Sequence, residues 1–353
     1  MATLESAQPA VLAAPSWGWL RHARFDLLFI VGITVLAVSA AGLTLAAPVL
    51  FPLVLVADLW LLGYHHVIST FTRLAFDSES FRANRFLVVW LPLIVLAGVI
   101  GLVAGVGWWA VPTLYLYWQW FHYTRQSYGI AQIYRRKAGG LADDPPRLAK
   151  ATIYLLPLWG ILSRSAEGHR TFLGMPIKTL PVPWAVVAVV AAAALISIVW
   201  WLVRQLAAWR QGRLPAAHAL YMASHLVIFA LGYLVIPDLS AGWLAINVWH
   251  NAQYIVLVWM YNNNRFKGGV DPRHRFLSTI SQTNRALLYV VVCLGITAAL
   301  YAGLSVTLEA LGLPLVAATL IAYQAINFHH YIVDGVIWKV RKAPIRENLG
   351  LAT

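Results

Sequence analysis

The sequence predicts an all-α fold, a polytopic integral membrane bundle of about ten transmembrane helices with both termini on the cytoplasmic side. Three observations predict it. The 353 residues are 60% hydrophobic and only 11% charged, more apolar surface than a water-soluble domain of this length can hide. The apolar residues recur in runs of roughly 20, the length a helix needs to cross a bilayer. When the runs are threaded alternately across the membrane, 22 of the 26 Lys and Arg residues fall on one side. That bias assigns the side to the cytoplasm.

Each span has its own justification. The run 26–47 is plain and apolar and follows Arg21 and Arg24. The run 51–73 carries Asp58, His65 and His66 and descends through "HHVISTFTR" to Arg73. The third, 86–105, starts at Arg85 and is almost pure Val, Leu, Ile and Gly. The fourth, 110–134, follows Trp108 and Trp109, which suit a membrane–water boundary, and ends in Arg135, Arg136 and Lys137. The fifth, 149–164, leaves the basic Arg147 and Lys150 and reaches Arg164. The sixth, 183–203, contains "WAVVAVVAAAALISIVWWLV" and carries no chemistry. The seventh, 215–236, presents His218, Tyr221 and His225. The eighth, 241–262, holds Asn247, His250, Asn251 and Tyr254 before "NNNRFK". The ninth, 286–306, is plain and contains the lone Cys293, so there is no disulfide framework or thiolate metal cluster. The tenth, 314–338, contains "HHYIVDGVIWKVRK".

Residues 1–25 form a cytoplasmic segment without the basic-then-apolar pattern of a secretory signal. Residues 26–340 form one transmembrane domain, and 341–353 a cytoplasmic tail. The net charge of +13 is accounted for by basic helix ends facing anionic lipid head groups, so no nucleic-acid partner is expected. A bacterial cytoplasmic (inner) membrane is the expected location.

The chemistry lies in the polar side chains within the spans. Helical spacing gives five stripes: Asp58, His65, Ser69 and Thr72, with His66 on the flank; Gln119, His122, Arg125 and Gln126; His218, Tyr221 and His225; Asn247, His250, Asn251 and Tyr254; Gln324, Asn327, His330 and Asp334, with His329 beside them. Eight of the eleven histidines lie in spans, where polar groups are costly and mark function more often than architecture. The simplest packing turns all five stripes inward. Imidazole with carboxylate suits non-haem iron, and the number of donors allows one or two ions. The expected ligands are His65, His66, His122, His225, His250, His329, His330, Asp334 and Asp58. Arg125 needs a partner, either Asp58, Asp334 or an anionic group of a substrate. Tyr254 or Tyr221 would supply protons. The expected function is oxygen-dependent oxidation, hydroxylation or cleavage of a membrane lipid or other hydrophobic small molecule, with an electron-donor protein as a further partner. The alternatives are a haem- or quinone-binding electron carrier, a His/Asp-relay transporter and a non-catalytic subunit of a membrane complex.

The pairing of His with a nearby carboxylate in "HHYIVD", and the recurrence of His on several spans, resembles the Brp/Blh-type membrane β-carotene dioxygenases. His329 and Asp334 stand in that family's spacing, and His65, His122 and His250 would take the other three places. "HHVIST", "HYTRQSYG" and "HNAQY" lack the Asp that follows His in the family. A looser likeness is to the membrane desaturases and hydroxylases, although neither of their motifs, His-x-x-x-His and His-x-x-His-His, occurs here. Both resemblances imply oxygen chemistry on a lipid.

Overall fold

A computed structural model describes residues 17–139, 145–339 and 342–351. It is all-α apart from a two-stranded hairpin, in which Thr171–Phe172 pairs with Met175–Pro176. The expected segment 1–25 therefore lies largely outside the described residues.

Ten long helical segments follow the ten apolar runs: α1 (Ala23–Ala46), α2 (Pro48–Leu74), α3 (Phe86–Val106), α4 (Ala110–Lys137), α5 (Pro146–Ala166), α6 (Trp184–Arg210), α7 (Ala216–Val235), α8 (Leu239–Arg265), α9 (Thr283–Ala310) and α10 (Leu315–Ile337). Six of them, α1, α2, α3, α6, α7 and α9, are long and apolar enough to cross a membrane. They expose Leu, Val, Ile and Trp outward, including Leu53, Leu93, Val189, Ile196, Val203 and Leu287. Water would penalise such a surface and hydrocarbon would not.

The four remaining segments, α4, α5, α8 and α10, have their mean hydropathy lowered by polar side chains, and those side chains are mostly buried. Helix α8 is buried on nearly every side and packs against α1, α2 and α7. Small residues allow the closest approach. A Cβ on Gly242 of α8 would stand 2.0 Å from the carbonyl oxygen of Gly232 in α7, and a Cβ on Gly160 of α5 would stand 2.4 Å from the Tyr233 Cβ. At both places only glycine allows so close an approach, to backbone at Gly242 and to the Tyr233 side chain at Gly160.

Helix α2 is not uniformly α-helical. Leu59–Tyr64 is a π turn directly before the two histidines. A π turn takes in an extra residue relative to α-helix, which rotates everything after it by about 100°. That rotation decides which histidine faces inward.

The basic ends gather at one end of the bundle. Arg21 donates to Asn263 (3.1 Å). Arg265 pairs with Asp77 (3.1 Å), which also caps the short helix Ser78–Ala83 by accepting from the Ser80 amide (2.7 Å) and hydroxyl (2.8 Å). Burial would raise the Asp77 carboxyl, but the Ser80 hydrogen bonds and the Arg265 charge outweigh it and hold it below the usual carboxylate range. The described part of the expected tail is docked: Asn264 donates to the Asn348 carbonyl (2.9 Å), Asn348 donates to the Tyr261 hydroxyl (3.1 Å), and Leu349 and Leu351 are buried.

Candidate metal centre

Three helices bring a cluster together in the interior. His66 from α2, His122 from α4, and His330 and Asp334 from α10 each offer one donor atom, and the four atoms lie within 4.8 Å of one another. His330 and Asp334 are one turn apart on the same face, with Nε2 3.5 Å from Oδ2. The His66 and His330 Nε2 atoms approach to 2.6 Å. His122 Nε2 is buried without a hydrogen-bond partner, and its ring stacks on Tyr331 at 4.3 Å.

The opposite ring nitrogens are held by the surrounding helices. His66 Nδ1 is 2.6 Å from the Asn251 Oδ1 of α8, and His330 Nδ1 is 2.9 Å from the Thr70 Oγ1 of α2. An Asn carbonyl oxygen can only accept, so with Oδ1 turned to the ring this contact favours the tautomer with the proton on Nδ1 and an Nε2 lone pair free toward the cluster. The Thr70 hydroxyl also meets the Tyr254 hydroxyl (2.7 Å), and Tyr254 donates to Asp334 Oδ1 (2.5 Å) while accepting from Trp338 Nε1 (3.0 Å). Hydrogen bonds of this kind would orient the imidazoles and the carboxylate if the group held a metal.

His250 of α8 lies against the cluster, its ring centroid 4.7 Å from that of His66 and 5.0 Å from that of His122. Tyr123 stacks on its ring at 3.9 Å, and both its nitrogens are buried without a hydrogen-bond partner. It sits just outside the group of four as a fourth imidazole.

The other expected ligands are elsewhere, for identifiable reasons. His65 is rotated away by the π turn and lies 6.0 Å from the Tyr289 ring. His329 points to α3, where Nε2 meets the Leu87 carbonyl at 2.7 Å and the ring stacks on Phe71. His225 has both nitrogens engaged, with Nδ1 2.7 Å from Ser127 Oγ and Nε2 3.0 Å from the Ile153 carbonyl, so it ties α7 to α4 and α5. Tyr221 belongs to that same knot, its hydroxyl 3.1 Å from Ser127 Oγ and 3.3 Å from Gln253 Oε1, and not to the cluster. The seventh-span stripe thus faces inward toward different neighbours. Asp58 accepts from Asn247 Nδ2 (2.5 Å), whose Oδ1 accepts from Tyr123, and so acts behind the cluster through residues that touch it. Tyr254 is where it was expected. Thr70, Trp338, Tyr331 and Tyr123 were not expected. Thr70 was signalled by its place one turn after His66, on the same face of α2.

Arg125 makes no ion pair with either expected partner among the described residues. Its Nη2 donates to the carbonyl of Gly335, next to Asp334, at 3.1 Å. A cleft of about 100 Å³ lies between α4, α8 and α10, bounded by His122, Tyr254 and Asp334 toward the cluster, by Trp118, Phe121 and Trp338, and by Arg125. Phe121 and Arg125 are exposed, so the cleft opens on the outer flank of α4. A Cβ added to Gly129 would meet nothing within 4 Å, which leaves the α4 wall of the cleft low there.

No model of a known protein family matches the chain, and no characterised protein or solved structure matches it.

Proposed function

We propose that the chain is an integral membrane metalloenzyme that crosses the bilayer ten times with both termini cytoplasmic. It holds non-haem iron on His66, His122, His330 and Asp334, with His250 as a further ligand, and oxidises a lipophilic substrate with dioxygen. Four donors within 4.8 Å of one another carry the reading. Histidine-with-carboxylate sets suit non-haem iron, and with His250 the donors exceed the four of tetrahedral zinc. The positive-inside bias supports ten crossings. The bacterial inner membrane is the location this implies.

Bound iron would supply the activation of dioxygen. The chain's own residues do the rest. Asn251 and Thr70 hold His66 and His330 in the ligating orientation. Tyr254, hydrogen-bonded to Asp334, Thr70 and Trp338, stands where it can deliver or withdraw a proton at Asp334. The cleft beside α4 admits a hydrophobic molecule from the bilayer, while Tyr331 and Tyr123 cover the rings of His122 and His250. The two-electron reductant comes from a donor protein at the basic cytoplasmic end.

A haem carrier fits the packing less well. The rings of His66, His122, His250 and His330 lie with centroids between 4.4 and 6.3 Å apart, which leaves no slot for a macrocycle between them. The test is elemental analysis with an absorption spectrum on protein purified in detergent. Stoichiometric iron without a Soret band is the expected result. A Soret band would make the protein a haem carrier, and protein without any bound metal would favour a relay transporter or an assembly subunit.

A further inference from the structure

We infer that the substrate is a long-chain amphiphile ending in a carboxylate, gripped by Arg125, so that the carbons next to the carboxylate are the ones presented to the His/Asp cluster. The inference rests on the metal-centre reading and adds to it a substrate class and an orientation.

Arg125 is the starting point. Its guanidinium stands on a helix flanked by lipid-facing side chains, and it is permanently charged. Such a charge is costly in hydrocarbon without a partner. Of its five N–H donors, one is used on the Gly335 carbonyl. No described carboxylate pairs with it. The guanidinium lies close over Gly335, where a Cβ would stand 3.0 Å from Nη1, and its Nη2 hydrogen bond to the Gly335 carbonyl sets it against α10. The remaining donors border the cleft, and a planar fork of N–H groups matches a carboxylate.

The second observation is distance along the chain. Arg125 is one turn from His122 on α4, and its anchor Gly335 is adjacent to Asp334 on α10. Both pairs line the same cleft of about 100 Å³. The anion-binding end and the cluster are therefore neighbours. A bound carboxylate leaves room for only a few carbons before the cluster is reached. The rest of the molecule must run outward past Phe121 and the low wall at Gly129, where its surroundings are apolar. The lining suits an acyl chain: Trp118, Phe121, Ile130, Ile133, Leu257 and Trp338. A phospholipid phosphate satisfies the charge but brings two chains and a glycerol, which a cleft this narrow does not take.

The test uses iron-loaded full-length protein in nanodiscs of phosphatidylcholine, with radiolabelled palmitate as probe and hexadecanol and phosphatidic acid as comparisons. Wild type is expected to bind palmitate in preference to hexadecanol. Arg125→Gln should weaken palmitate by roughly tenfold to a hundredfold, the worth of a charge-assisted hydrogen bond, and leave hexadecanol unchanged. Arg125→Lys should keep part of the preference. In cobalt-substituted protein, ¹³C at C2 of palmitate should relax faster than ¹³C at C16. Equal binding of acid and alcohol, an Arg125→Gln variant that binds palmitate like wild type, phosphatidic acid competing as well as palmitate, or faster relaxation at C16 would each overturn the inference. Metal content measured on the same samples keeps the two readings apart. Stoichiometric iron with Arg125-independent palmitate binding sinks this inference alone. Iron-free protein that still discriminates through Arg125 sinks the iron site and upholds carboxylate recognition.

Discussion

Replacing Thr70 by Val tests the outer layer of the cluster without touching a ligand. The two side chains have nearly the same shape, so packing is preserved and only the hydroxyl is lost. In the wild type that hydroxyl stands 2.9 Å from His330 Nδ1. Tyr254 keeps Asp334 and Trp338 after the change, so with a metal on His330 Nε2 the one group left without a partner would be the proton on its Nδ1. In metal-free protein that imidazole can shift its proton or its ring to avoid the loss. With Nε2 committed to a metal it cannot, and the proton is pinned against a methyl group. The penalty for an unsatisfied buried donor, about 1–3 kcal/mol, therefore falls on the bound state alone. It corresponds to a drop in metal affinity of roughly 5- to 150-fold, in line with the 10- to 100-fold typical of such partners. Competition against a chelator of known affinity, on purified protein in detergent, reads this directly. Thr70→Ser should restore most of the affinity, and the thermal midpoint of the metal-free variant should stay close to wild type. Metal affinity within twofold of wild type in Thr70→Val would refute the assignment of His330 Nε2 as a ligand.

Four further outcomes follow from the same geometry. His66→Ala, His122→Ala and His330→Ala should each lose stoichiometric metal, whereas His65→Ala and His329→Ala should keep it, by elemental analysis. His225→Ala should also keep metal but lose about 2 kcal/mol of stability in a thermal or denaturant melt, since two buried hydrogen bonds go with it; loss of metal there would mean its knot is part of the site. Gly129→Leu should fill the open wall of the cleft and abolish palmitate binding at unchanged metal content. Asp77→Asn keeps an acceptor for the Ser80 amide but loses the charge that pairs with Arg265, and should cost about 0.5–1 kcal/mol at pH 7, with the following sign: a carboxyl held below its unfolded value of 3.8 contributes fully above that value, and the contribution fades as pH falls through the lower folded value. The gap between wild type and variant should therefore close in melts taken below about pH 3.8, and a gap that widened in acid would contradict the ion pair.

The helices were legible in the sequence because each apolar run is bounded by Arg, Lys, Trp or Pro, and the structure places a long helix on every one. His122, His330, Asp334 and Tyr254 were legible as well, since three- and four-residue spacing survives in regular α-helix. The pair His65 and His66 was not. An ideal helix aligns His65 with Asp58, and the π turn at Leu59–Tyr64 shifts the inward position by one residue to His66. Nothing in "LWLLGY" announces an i→i+5 turn. The His225 and Tyr221 stripe shows a different limit. Periodicity tells which face of a helix is polar but not which neighbour that face meets, and here the neighbour is Ser127 with the Ile153 carbonyl. Arg125 was expected to need Asp58, Asp334 or a substrate anion as a partner; among the described residues it meets neither aspartate and donates to the Gly335 carbonyl.

The enclosure of α8 bears on how the protein is made. Its Asn247, His250, Asn251 and Gln253 are each poorly received by acyl chains, so the segment gains little by leaving the translocation machinery alone. Its principal sheath, α1, is synthesised long before it. On the proposed ten-crossing reading, biogenesis would keep an early, greasy helix within reach until the late, polar one emerges, making the two a single unit of insertion.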